Sequence, residues 1–277
     1  MFMWIKVNER KHEIAAGTSL EQLRLEIKPE ADLLIVNGYP AGQETMLQEN
    51  DRVILIRRGE TPPEDELDAL LSARHTPGVH DQVKNACVGI AGAGGLGSAI
   101  AIALARLGVG HLIVADFDTV EPSNLNRQQY FLDQIGLPKV YALRDTLGRI
   151  NPHVHVTACH LKLNRDNLGE IFTAAQILVE AFDLADQKVM LIEEFAGRFP
   201  DKPIVAGSGM AGYGPSNDIT TERFGHRLFV CGDGRTAAGP GVGLMSPRVG
   251  IAAHHQANTV LRLLLKLDPL DGSSDWT

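Results

Sequence analysis

The run Gly92-Ala93-Gly94-Gly95-Leu96-Gly97 restricts this chain more than any other feature. An apolar, strand-like segment, Cys87–Ala91, leads into it, and an apolar, helix-forming segment carries on to Leu107. Glycines between a strand and a helix let the backbone turn tightly and approach a phosphate. The helix start adds free N–H groups and the positive end of its dipole. The alternative use of such a loop is close helix–strand packing. Asp116 follows Gly97 by nineteen residues, at the end of a second expected strand, His111–Ala115. A carboxylate there can accept hydrogen bonds from ribose hydroxyls.

The pattern continues as alternating elements. Helices are expected around Pro138–Ile150, Leu168–Ala175, Asp186–Phe199 and Pro247–Leu267. Strands are expected at Val154–Ala158, Ile177–Val179, Ile204–Ser208 and Leu228–Val230, the last inside a glycine- and proline-rich loop. Alternation of this kind predicts an α/β fold: a Rossmann-like, mostly parallel sheet with helices on both faces, over residues 84–277. Residues 1–59 read as a separate, small α+β domain. It has strands at Phe2–Val7, Leu33–Val36 and Val53–Ile56, and a helix opened by Thr18 with Glu21 three positions on. Between them, 60–83 reads as an acidic linker. Pro62-Pro63 and the acids Glu64 to Asp68 predict a short exposed helix from Pro63 to Ala73.

Composition removes several classes. Of 277 residues, 44% are hydrophobic and 22% charged, which fits a folded globular chain. The net charge of −8 argues against a nucleic-acid surface. The three cysteines Cys87, Cys159 and Cys231 are far apart, so neither a disulfide framework nor a zinc cage is expected. Lys6, Glu9 and Arg10 break the opening segment, and no apolar stretch is long enough for a membrane span. A cytoplasmic protein is therefore expected.

The segment Asp116-Phe117-Asp118-Thr119-Val120-Glu121-Pro122-Ser123-Asn124-Leu125-Asn126-Arg127-Gln128 narrows the nucleotide chemistry, together with Lys139 twelve residues after Arg127. A dehydrogenase has little use for Arg127 and Lys139 beyond its ribose carboxylate. A site that holds a triphosphate and stabilises departing pyrophosphate does. Glu180 and Asp183, three apart at the end of an expected strand, suit a hard cation with oxygen ligands, or the capping of a helix start.

The run from Gly92 to Arg127 resembles the ThiF/MoeB/HesA family, relatives of the ubiquitin-activating enzymes. Val179-Glu180-Ala181-Phe182-Asp183, Cys231-Gly232-Asp233, Pro247-Arg248-Val249 and His255-Gln256-Ala257-Asn258 are similar to its second ThiF subfamily, which lacks zinc cysteines. The resemblance implies ATP- and Mg²⁺-dependent adenylation of the C-terminal glycine of a small β-grasp sulfur carrier ending in Gly-Gly. It implies thiamine thiazole synthesis as the route and a homodimer as the assembly. It implies that Gly92, Gly94, Gly95 and Gly97 approach the nucleotide, that Asp116 and Asp118 hold it, and that Asn124, Arg127 and Lys139 bind its phosphates. Glu180, where the family usually has Asp, and Asp183 would serve Mg²⁺ and catalysis with Arg127 and Lys139. Cys231 is the candidate for sulfur transfer.

Residues 1–59 are similar to the carrier itself, a ThiS-like β-grasp, at Val36-Asn37-Gly38 and Glu49-Asn50-Asp51-Arg52-Val53. The carrier's free diglycine is missing, because Arg57-Arg58-Gly59-Glu60 continues into the chain. This motivates an alternative: a regulatory or non-catalytic nucleotide-binding protein whose fused domain occupies the carrier site. A nicotinamide-dependent oxidoreductase rests on the glycine loop and Asp116 alone. Adenylation of an RNA base is opposed by the acidic charge.

Overall fold

A computed structural model describes residues 2–60 and 64–271. The chain divides into two units, Met1–Asp81 and Gln82–Thr277.

In the first unit, alternating side chains choose the faces of one sheet. Its elements are β1 (Phe2–Val7), β2 (Arg10–Ala15), α1 (Leu20–Ile27), β3 (Leu33–Val36), β4 (Tyr39–Pro40) and β5 (Arg52–Ile56), in the strand order β2-β1-β5-β3-β4. β1 runs parallel to β5, and the other pairs are antiparallel. Met3, Ile5 and Val7 of β1 pack with Val53 and Leu55 of β5 and Leu20 and Leu23 of α1. The helix cap sits one residue later than expected. Ser19 Oγ accepts from Gln22 N–H and Gln22 Oε1 accepts from Ser19 N–H, while Thr18 donates its hydroxyl to Ala15 O. Glu21 pairs with Arg24 instead.

The other face of the sheet corrects the expectation of an exposed linker. Ile35 and Ile54, with Leu33 and Ile56, are covered by Leu70 of α2 (Glu64–Leu71) and by Ala73. Polar ties add to this: Asn8 Nδ2 donates to Glu66 Oε2 at 3.3 Å, and Arg52 Nη2 to Asp81 Oδ2 at 2.8 Å. Glu64–Leu71 is thus a working part of the first unit. The expected proline start of this helix, at Pro62 and Pro63, lies outside the described residues.

After α3 (Val79–Val83), the second unit contains β6 (Cys87–Ala91), α4 (Gly95–Leu107), β7 (His111–Asp116), α5 (Lys139–Ile150), β8 (His155–His160), α6 (Leu168–Ile171), β9 (Ile177–Glu180), α7 (Ala185–Arg198), β10 (Ile204–Gly207), β11 (Thr220–Phe224), β12 (Leu228–Gly232) and α8 (Ser246–Leu264). The seven-stranded sheet has the order β11-β12-β10-β9-β6-β7-β8 and is parallel except for edge strand β11. This is the expected α/β architecture. α4, α5 and α8 pack together, while Phe172 and the α6 and α7 side chains Leu168, Leu191 and Phe195 join Leu178 and Ile113 in one cluster. From β6 the chain builds outward to β7 and β8, then returns to place β9 on the other side of β6. Such a reversal opens a crevice beyond the carboxyl ends of the strands, where ligands bind in open α/β sheets.

Candidate functional site

A cavity of about 680 Å³ occupies that crevice. Its wall includes Gly92, Gly94 and Gly95 after β6, Asp116 at the end of β7 with Phe117 and Asp118 after it, and Ala181 to Ala185 after β9. Gly207 ends β10 and Ser208 to Ala211 follow it, and Gly234 to Ala238 follow β12.

The glycines divide into two roles. Gly92 has φ +100°, and a Cβ there would lie 2.7 Å from Ala181 O, so only glycine fits the turn. Around Gly94 the backbone is bare: a Cβ would meet nothing nearer than Gln128 Nε2 at 3.9 Å. Gly94 also caps α4 without a side-chain hydrogen bond, so the helix start offers its N–H groups and dipole to the cavity. Gly97 corrects an expectation. It is not on the cavity wall, and a Cβ there would fall 1.9 Å from Gly92 O, so its glycine serves helix–loop packing.

Asp116 is held by the loop it faces. Its Oδ2 accepts from Ala93 N–H at 2.6 Å and its Oδ1 from Asp118 N–H at 2.8 Å. Burial pushes its carboxyl above the ordinary range, against these two N–H groups and Lys139. Asp118 Oδ2 accepts from Lys139 Nζ at 2.8 Å, and both residues line the cavity. Arg127 also lines it, with Nη1 donating to Asn126 Oδ1 at 2.9 Å and to Ser123 O at 3.2 Å. Asn124 departs from its expected phosphate role. It is buried off the wall, and its Oδ1 accepts from Glu121 N–H at 3.0 Å, folding the short 3₁₀ turn Pro122–Asn124.

The expected carboxylate pair is split. Asp183 is exposed on the cavity wall and accepts no hydrogen bond among the described residues. Glu180 is 0% exposed beneath it. Both Glu180 oxygens take Lys188 Nζ at 2.9 Å, and Oε1 also accepts from Phe182 N–H at 2.7 Å. Burial pushes this carboxyl up and Lys188 opposes it. Its valence is used inside the fold, so it is unavailable as a cation ligand. Among the described residues no three His, Cys, Asp or Glu side chains converge as a metal cage. Asp183 still suits Mg²⁺, which keeps its waters and takes one or two carboxylates plus substrate phosphates.

Cys231 is likewise corrected. It is fully buried, away from the cavity wall, between Thr221 Oγ1 at 3.5 Å and Thr259 Oγ1 at 3.8 Å. Burial pushes its thiol up, so it lacks both the thiolate and the access that sulfur transfer needs.

Sequence reasoning did not single out Gln128, Lys162, Lys188 or Arg235, all on the wall. A lysine eight residues after a buried glutamate is a weak signal, and the others carry none. Lys139 is paired with Asp118 and Lys188 with Glu180, so the other charges on the wall are Arg127, Lys162 and Arg235 against Asp116 and Asp183. This small cationic excess, within a chain of net charge −8, suits a polyanion.

Comparisons with known proteins show the family and the fold. Residues 69–274 match the ThiF family, and residues 3–59 match the ThiS-like ubiquitin family. A molybdopterin-synthase adenylyltransferase of Salmonella typhimurium is 31% identical over 197 residues, 66% of this chain and 75% of the relative. An adenylyltransferase and sulfurtransferase of Eremothecium gossypii is 31% identical over 204 residues, covering 71% of this chain and 46% of the relative. The crystal structure of the Escherichia coli tRNA N6-threonylcarbamoyladenosine dehydratase with ATP shares the fold. Its TM-score is 0.64 at 20% identity, over 71% of this chain and 92% of that one. The protein belongs to the ThiF family and carries a ThiS-like ubiquitin domain at its N-terminal side.

Proposed function

We propose that the protein uses ATP and Mg²⁺ to adenylate the C-terminal glycine of a separate small β-grasp sulfur carrier. The observation that carries this is the convergence of Gly92, Gly94, Asp116, Arg127, Lys139 and Asp183 on one cationic cavity at the strand reversal. The names of the relatives, adenylyltransferases by sequence likeness, support it.

In this reading the glycine loop and the start of α4 approach the phosphates. Asp116 accepts from the ribose, and Asp118 holds Lys139 until a phosphate competes for it. The carrier's terminal carboxylate attacks the α-phosphorus and pyrophosphate leaves. That carboxylate is ionised at neutral pH, so the site needs no general base. Arg127 and Lys139 stabilise the charge that moves onto pyrophosphate. Asp183 would hold Mg²⁺, which neutralises phosphate charge when bound. The remaining task is alignment of the two reactants.

The chain's own β-grasp domain is not the substrate. Arg57-Arg58-Gly59-Glu60 carries neither a diglycine nor a free carboxylate. The fused ThiS-like domain favours thiamine thiazole synthesis as the destination of the sulfur. The test is ATP–pyrophosphate exchange with and without a carrier ending in free Gly-Gly. Exchange that requires the carrier supports the reading, and ATP binding without exchange refutes it.

A further inference from the structure

The first unit holds a second, smaller cavity, of about 30 Å³, which the adenylation reading leaves unused. Glu9, Gly38, Arg52, His75 and His80 stand on its wall. The chain at His75 packs hard on the turn after β3: a Cβ on Gly38 would lie 2.8 Å from His75 O. Two imidazoles meet here, with ring centres 6.2 Å apart. His80 is 8% exposed, and its Nε2 lies 2.8 Å from Asp68 Oδ2. A carboxylate only accepts, so Nε2 carries the proton and Nδ1 of the neutral ring keeps its lone pair. That Nδ1 is buried with no hydrogen-bond partner among the described residues, and so is Nδ1 of His75.

Buried nitrogens without partners destabilise a fold, and two of them beside one small cavity call for a common occupant. We propose that this cavity binds one divalent transition-metal ion of the zinc type, held by Nδ1 of His75 and Nδ1 of His80. Imidazole suits zinc, and a ring centre stands about 3 Å from a metal on its nitrogen. Rings 6.2 Å apart are therefore close to sharing one ion as they stand. Asp68 supplies the outer contact of such a ligand, fixing the His80 tautomer and making the ring more basic. The surroundings are acidic: Glu9, Asp68 and Asp81 stand against Arg52, which pairs with Glu9 and Asp81, and Lys6, which reaches Glu9. Burial, then His80, pushes the His75 pKa below its ordinary value against the pull of Asp68, so the ring is neutral at neutral pH and can bind. Among the described residues no third His, Cys, Asp or Glu converges with the two. Water completes the coordination, or Glu9 after its side chain turns. The ion pins residues 75–80 beside the β1–β2 turn.

The experiment titrates zinc chloride calorimetrically into the chelator-stripped full chain, without ATP or Mg²⁺, for wild type, His75→Gln, His80→Gln and Asp68→Asn. Wild type is expected to bind an ion that both histidine variants lose. Asp68→Asn keeps both ring nitrogens and is expected to weaken that ion about 10- to 100-fold. Zinc is expected to raise the melting temperature of wild type and not of the histidine variants, because a ligand of the folded state stabilises it. Anomalous diffraction at the zinc edge from wild-type crystals serves where a variant does not fold, and is expected to place the ion between the two Nδ1 atoms. A wild-type protein that takes no zinc overturns the proposal and leaves the cavity to water. Zinc bound as tightly by either histidine variant, or an anomalous peak only elsewhere, overturns it as well.

Discussion

Arg248 Nη2 stands 2.7 Å from Asp233 Oδ2, and both side chains are almost wholly buried. Arg248 Nη1 also donates to Gly214 O and Pro215 O, each at 2.8 Å. Asp233 Oδ1 accepts from the N–H groups of Arg235 and Thr236, and Thr236 Oγ1 accepts from Ala211 N–H at 3.1 Å. One ion pair thus ties the first turn of α8 to the loops after β10 and β12, which form one wall of the cavity. The sequence strings Cys231-Gly232-Asp233 and Pro247-Arg248-Val249 are two halves of a single clasp.

Arg248→Ala leaves Asp233 buried without its partner. Removing one member of a buried pair costs about 3–5 kcal/mol. A fall of that size in urea-unfolding stability is expected, with a smaller loss in Arg248→Lys.

The same carboxylate makes stability depend on acid. Burial raises the Asp233 carboxyl, but Thr236, Arg235 and Arg248 together hold it well below the usual carboxylate range. A group with a depressed folded pKa contributes stability above its unfolded value, about 3.9, and loses it as pH falls through the folded value. Denaturation curves between pH 7 and pH 2 are expected to show this loss in the wild type and a flatter profile in Asp233→Asn.

Arg127 and Asn124, three residues apart, are expected to separate. Arg127→Ala removes charge from the cavity and is expected to slow carrier-dependent exchange about 10²–10³-fold. Asn124→Ala removes the cap of a 3₁₀ turn and is expected to cost about 1 kcal/mol of stability with a smaller effect on rate. Parallel unfolding and exchange assays read both.

Glu180 and Asp183 are expected to separate in the same way. Glu180→Gln leaves Lys188 without its counter-charge and destabilises the fold, whereas Asp183→Asn leaves stability unchanged and abolishes exchange. In a Glu180→Gln/Lys188→Met cycle the double mutant is expected to lose less than the sum of the single ones.

Cys231→Ala is expected to keep carrier-dependent exchange, and the native Cys231 thiol is expected to resist alkylation until the protein unfolds. Mass analysis of alkylated peptides, with and without urea, checks the second point.

The α/β sheet could be read from Cys87 to Val205 because its strands are short apolar runs and its helices carry an apolar face. β2 and β11 escaped because RKHEIA and TTERF are polar edge strands, with only Ile14 of β2 buried and none of β11. α2 was misread because its acids are conspicuous, while the contact that decides its place, Leu70 and Ala73 on Ile35 and Ile54, is long-range. At the site, the residues after β6 and β7 were readable because they are consecutive. Which of Glu180 and Asp183 faces the cavity was not, since only the position of Lys188 decides it.

The most direct test is intact mass spectrometry of a carrier ending in free Gly-Gly, after brief incubation with this protein, ATP and Mg²⁺. The account predicts an AMP adduct on the C-terminal glycine, absent from a carrier whose terminus is blocked and absent with Arg127→Ala. A carrier left unmodified while the protein binds ATP would contradict it.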